Sequence, residues 1–162
     1  MNTVYLLLGS NEGDRTDWLN RAIEQLQDTC GPVTKRSAIY ETAAWGIEDQ
    51  PSFLNMALCI DTELQPLALL KQINTIEANL GRQRTLKWGQ RTLDIDILFF
   101  NNDIIDLPEL KVPHPEIQNR RFALVPMHEI AAELIHPANH KTITELLKEC
   151  KDTLEAVLYT PE

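Results

Sequence analysis

Leu93-Asp94-Ile95-Asp96-Ile97-Leu98-Phe99-Phe100 alternates apolar with acidic residues and then runs continuously apolar. Alternation at period two is the pattern of a β-strand, and a continuous apolar run is that of a strand buried on both faces. Residues 93–100 are therefore expected to form a central strand with Asp94 and Asp96 on one face. Upstream, Pro66 suits a first helical turn, Leu69, Leu70, Ile73, Ile76 and Leu80 make one apolar stripe, and Gly81 suits a left-handed cap. Residues 53–64 and 33–42 are strand-like and can pair as an antiparallel hairpin across a long connection holding Gly46 and Pro51. At the amino end, Val4 to Leu8 reads as a strand. Gly9-Ser10-Asn11 makes the turn, and a helix follows, begun at Asp14, carrying Leu19, Ala22, Ile23 and Leu26, and stopped by Gly31-Pro32. Downstream, Asn101-Asn102-Asp103 is a turn, residues 104–107 a short edge strand, and Val112-Pro113-His114-Pro115 extended backbone. Residues 122–132 and 142–158 read as helices, the second interrupted or frayed around Lys151-Asp152. The order β, α, β, β, α, β with added carboxy-terminal helices predicts a ferredoxin-like α+β sandwich, a mainly antiparallel sheet with helices packed on it.

The 162 residues suit a single domain, 1–162, and 43% hydrophobic with 24% charged residues is the composition of a packed globular chain. A net charge of -9 argues against a general grip on nucleic acid or an anionic membrane. Cys30, Cys59 and Cys150 form neither a C-x-x-C pair nor an even disulfide framework, which points to a reducing, cytoplasmic setting and disfavours zinc. The apolar amino terminus lacks the basic start of a signal peptide, and no run approaches the roughly 20 apolar residues of a membrane span.

Two carboxylates side by side on a strand repel unless a cation or proton intervenes, and hard oxygen ligands suit magnesium. The stretch before them, Arg82-Gln83-Arg84-Thr85-Leu86-Lys87-Trp88-Gly89-Gln90-Arg91, concentrates basic charge in an acidic chain and reads as an exposed loop. Arginine forks suit phosphate oxygens. D-x-D alone is more often a solvated pair, and a basic loop alone more often a solvated face; together they favour a metal-phosphate site.

Several segments taken in order, Gly9-Ser10-Asn11, Asp49-Gln50-Pro51, Phe53-Leu54-Asn55, Gly81-Arg82 with Arg84, Trp88-Gly89, Arg91 to Asp96, Val112 to Pro115, and Asn119-Arg120 with Phe122, resemble the 6-hydroxymethyl-7,8-dihydropterin pyrophosphokinase family. The resemblance implies transfer of the pyrophosphoryl group of ATP to a pterin hydroxymethyl, releasing AMP, in folate biosynthesis. It implies two Mg²⁺ ions on Asp94 and Asp96, with Arg82 and Arg91 also catalytic. It puts Asn74, Glu77, Arg84, Trp88, His114 and Arg120 at ATP, and Thr42, Ala43, Trp45, Phe53, Asn55 and Phe122 at the pterin. Gly9-Ser10-Asn11 lacks the P-loop spacing and its lysine, so a structural role is expected. A monomer or weak homodimer is the expected assembly. Two other readings stay open at this point: a metal-dependent nucleotidyltransferase, and a ferredoxin-like RNA-binding module, the latter disfavoured by charge and by strand aromatics that do not follow the RRM pattern.

Overall fold

A computed structural model describes residues 1–42, 52–80 and 93–160. Strand β1 (Asn2–Ser10) leads through a turn to helix α1 (Arg15–Thr29), whose first free N–H groups are met by the Asp14 side chain, accepting from the Asp17 N–H at 3.1 Å. Strands β2 (Val33–Arg36) and β3 (Tyr40–Thr42) both pair antiparallel with β4 (Phe53–Thr62). The run 33–42 is thus two strands rather than one. Ser37 breaks it: its hydroxyl accepts the Ala57 N–H at 2.9 Å in place of a backbone carbonyl, and the next N–H, of Ala38, goes to the Glu129 carboxylate. Helix α2 (Pro66–Asn79) opens on proline as expected; its proposed Gly81 cap lies outside the described residues.

Strand β5 (Asp94–Phe100) pairs antiparallel with β1, and the sheet runs β5, β1, β4, β3, β8 (Val157–Leu158), with β2 beside β4. Here the structure corrects the expectation of a central strand, because among the described residues β5 stands at the edge of the sheet. Its apolar run reflects cover on both faces. Ile95, Ile97 and Phe100 join a core built with α1 and α2, while Leu98 and Phe99 join a second core under α3 (Arg121–Ala131) and α4 (Ile143–Glu149).

Residues 104–107 do not extend this sheet either: β6 (Ile105–Asp106) pairs with β7 (Lys111–Val112) as a separate two-stranded ribbon. The helix expected over 142–158 stops at Glu149. Cys150 turns to extended backbone, and the chain returns as β8 (Val157–Leu158) against β3. The side chain of Arg121 holds the freed carbonyls, donating to Asp152 O at 2.9 Å and to Cys150 O at 3.3 Å. The result is an α+β ferredoxin-like sheet with α1 and α2 on one face and the carboxy-terminal helices on the other. Among the described residues no helix is long and apolar enough to cross a membrane.

Candidate active site

A cavity of about 580 Å³ opens over the Ser10 end of β1, on the face that α3 and α4 cover further along. Its floor is set by register. Gly9 lies opposite Asp94 on one side and Asn55 on the other, and Leu7 lies opposite Asp96. Asp94 and Asn55 are thus two strand spacings apart, roughly 10 Å. Thr42 pairs with Phe53 one strand further on, and Arg120 and Phe122, at the start of α3, form a facing wall.

Each side chain is held in a definable way. Asn55 is buried, and its Nδ2 donates to Leu8 O at 3.2 Å. Gly9 makes room for it: a Cβ there would stand 2.6 Å from Asn55 Nδ2. The expected structural role of Gly9 is therefore close approach within a strand and not a turn. Thr42 lines the cavity, and its hydroxyl is buried with no hydrogen-bond partner among the described residues. An orphaned buried hydroxyl at a cavity marks a position where a ligand can complete the bonding. The Arg120 guanidinium sits 5.7 Å from the Phe122 ring centroid, a cation–π contact that steadies both.

An edge strand leaves backbone groups unpaired, and the site's own elements supply their partners. Glu77 is buried on α2, and its carboxylate accepts the Ile95 N–H at 2.8 Å, between Asp94 and Asp96. The His114 N–H donates to Leu98 O at 3.0 Å, which draws the loop of His114 along the same edge. His114 Nδ1 accepts from the Glu116 N–H at 3.1 Å, so the neutral ring carries its proton on Nε2. Burial pushes the His114 pKa down from its ordinary value; Asp96 and Glu116 oppose that shift and Arg120 adds to it. A neutral imidazole with Nε2–H as donor is the form expected near pH 7.

Asp94 and Asp96 are half-buried and line one cavity. Among the described residues no group of three or more His, Cys, Asp or Glu is arranged to hold a metal ion. Two carboxylates make a partial shell, which fits magnesium, since that ion keeps several waters or substrate phosphate oxygens.

Of the residues named from sequence, Thr42, Phe53, Asn55, Asp94, Asp96, Arg120 and Phe122 meet at this cavity, with His114 within electrostatic reach of Asp96. Asn74 is exposed on α2, and neither it nor Glu77 is part of the lining. Ala43, Trp45, Arg82, Arg84, Trp88 and Arg91 lie outside the described residues. The lining also includes Leu7, Gly9, Glu116, Asn119, Asp152 and Leu154, which sequence reading did not place there. A glycine closing an apolar strand was the available signal for Gly9; the interruption expected around Lys151-Asp152 marks a break in the helix there, but nothing in the sequence points Asp152 or Leu154 to the cavity.

Residues 5–132 match the model of the 7,8-dihydro-6-hydroxymethylpterin-pyrophosphokinase family. The chain is 44% identical over 149 residues to the 2-amino-4-hydroxy-6-hydroxymethyldihydropteridine pyrophosphokinase of Aquifex aeolicus, covering 92% of each chain. To the Bacillus subtilis protein of the same name it is 48% identical over 134 residues, 82% of this chain and 80% of that one. The crystal structure of Plasmodium falciparum HPPK-DHPS superposes with a TM-score of 0.74 at 18% identity over 92% of this chain, a likeness of fold; this chain spans 43% of that longer one. By the extent of the family match and the identity to these relatives, the chain belongs to the 7,8-dihydro-6-hydroxymethylpterin-pyrophosphokinase family.

Proposed function

We propose that this chain is the folate-pathway diphosphokinase that moves the pyrophosphoryl group of ATP to the hydroxymethyl group of 6-hydroxymethyl-7,8-dihydropterin, giving the pterin diphosphate and AMP. The observation that carries the reading is one cavity with a carboxylate pair at one end and Phe53, Asn55, Thr42 and Phe122 at the other. A flat heterocycle with an amide-like edge needs aromatic faces and a few fixed polar partners. Phe53 and Phe122 supply the faces, the anchored Asn55 carboxamide the polar partner, and the Thr42 hydroxyl a further bond.

Asp94 and Asp96 would hold the magnesium ions, two with ATP, whose chemistry is to neutralise phosphate charge and polarise the transferring group. The chain's own groups do the rest. Neutral His114 donates Nε2–H to a phosphate oxygen. Arg120, fixed on Phe122, offers a guanidinium fork to another. Arg84, Trp88 and Asn74 complete the ATP set, and Glu77 serves it through the strand it holds. Arg82 and Arg91 act as catalytic cations on charge that develops during transfer, and Ala43 and Trp45 complete the pterin side. The hydroxyl and the β-phosphorus meet between the two ends of the cavity, so positioning supplies much of the acceleration.

Residues 1–162 work as one pyrophosphokinase domain, as a monomer or weak homodimer. Three free buried cysteines suit a cytoplasmic location. Product analysis tests the reaction. With ATP, Mg²⁺ and the hydroxymethyl dihydropterin, AMP and pterin diphosphate are expected, and neither without Mg²⁺; inorganic diphosphate with an adenylated pterin would replace this reading by nucleotidyl transfer.

A further inference from the structure

The family match ends at residue 132, yet Asp152 and Leu154 line the cavity. They belong to a strap, residues 150–159, fastened at both ends to elements that carry cavity residues. At one end is the start of α3. The Arg121 N–H donates to Asp152 Oδ2 at 3.1 Å, and the Arg121 side chain donates to Asp152 O and Cys150 O, next to Arg120 and Phe122. At the other end is β3, which closes on Thr42. Val157 and Leu158 pair with Glu41 and Tyr40, and the Tyr159 N–H donates to Ile39 O at 2.9 Å. Arg15 secures that end further, its guanidinium 5.6 Å from the Tyr159 ring centroid while it donates to Ser52 O at 2.9 Å. Ser52 immediately precedes Phe53.

Between the fastenings the strap bridges the wall of Phe122 and the wall of Thr42 and Phe53. Asp152 shapes the crossing. Its Oδ1 accepts the Leu154 N–H at 3.0 Å while Oδ2 caps α3, so one carboxylate fixes both the helix start and the residue that faces the cavity. Leu154 is half-buried in this apolar position, although nothing in the helical cores requires it.

We propose that this strap is a wall of the pterin subsite, with Leu154 a specificity-determining contact to the heterocycle and Asp152 the positioning residue that presents it. The inference rests on the cavity's pterin end being as read above. A bulkier side chain at position 154 would occupy space meant for the ring, and a missing Asp152 carboxylate would let the strap lift.

Binding of the hydroxymethyl dihydropterin and of Mg²⁺ with a non-hydrolysable ATP analogue, each measured by calorimetry, separates the outcomes. Leu154→Trp is expected to weaken pterin binding by about tenfold or more and leave nucleotide binding within about twofold. Asp152→Ala is expected to raise KM for the pterin with kcat little changed, and Asp152→Asn to recover part of that loss. Phe122→Ala and Asn55→Ala serve as references for the cavity. If they lose pterin affinity and Leu154→Trp does not, the strap inference is overturned. If none of the three loses it, the pterin reading of the cavity falls, and the strap inference with it. Equal loss of pterin and nucleotide in Leu154→Trp would also overturn the proposal, because the effect would not belong to the pterin subsite.

Discussion

Val4, Leu6 and Leu8 project from β1 onto α1 and α2, whereas Tyr5, Leu7 and Gly9 alternate with them toward α3 and α4. The first face is packed along its length, joined by Leu54, Leu58, Ile95 and Ile97, all at most 5% exposed. The second is packed only around Tyr5, Ala57, Cys59, Leu98 and Phe99; toward the Ser10 end it gives way to Gly9, Asn55, Asp94 and Asp96 around open space. The same strands thus use alternate residues for different ends. One face supplies the stability that lets the other hold two carboxylates and an amide where apolar residues would pack better.

This division is open to direct attack. The largest expected effect is on the open half: Asp94→Ala or Asp96→Ala should lower turnover by roughly a thousandfold or more, on the order of 4 kcal/mol in the barrier. A melting temperature that falls as steeply as turnover would make the pair structural and not catalytic. On the packed face, Leu58→Ala should cost about 2–5 kcal/mol in urea unfolding, with KM unaltered in the protein that remains folded. At the seam, Gly9→Ala drives a Cβ toward Asn55 Nδ2, 2.6 Å away, and should cost about 1–3 kcal/mol, read in pterin affinity as well as stability. Glu77→Leu leaves the buried Ile95 N–H unpaired at a cost of about 1–3 kcal/mol, visible as a shifted Ile95 amide resonance and weaker Mg²⁺ binding; Glu77→Gln, which keeps an acceptor, should recover most of it.

The smallest effect belongs to the covered half of the second face. His136 is buried edge-on against Phe99, ring centroids 5.7 Å apart, and burial lowers its pKa below the ordinary 6.5. The unfolded chain therefore binds more protons below that pH. Stability falls as pH drops through 6.5 and levels off below the folded-state pKa, with a slope under about 1.4 kcal/mol per pH unit. His136→Asn offers an oxygen to the Ala138 and Asn139 N–H groups that His136 Nδ1 accepts, without titrating. It should reduce the slope of the curve in chemical unfolding between pH 5 and 7, leaving the share that the buried His114 contributes in the same window.

How much of this could be read in advance follows from how local each signal is. The period-two pair Asp94 and Asp96, the Pro66 helix start and the Asp14 cap are local, and the structure has them where the sequence indicated. Position in the sheet is not local. The apolar run of residues 97–100 reports cover on two faces, which here comes from helices on both sides of an edge strand, so it could not distinguish edge from centre. The segment after Glu149 has residue types that permit a helix, with a weak point at Lys151-Asp152; that the helix ends there for good depends on Arg121 and the pairing with β3, contacts distant in sequence. The cavity follows the same rule. Phe53, Asn55 and Phe122 were legible through the family resemblance, while Leu154 depends on where the strap lands.

On the proposed function, the open half of this face holds both substrates at once. The most direct test is a crystal structure of the chain with Mg²⁺, a non-hydrolysable ATP analogue and the hydroxymethyl dihydropterin. Metal is expected on Asp94 and Asp96 and the pterin between Phe53 and Phe122, its hydroxymethyl directed at the β-phosphorus. Metal bound away from the aspartates, or a pterin outside this cavity, would contradict the proposed function.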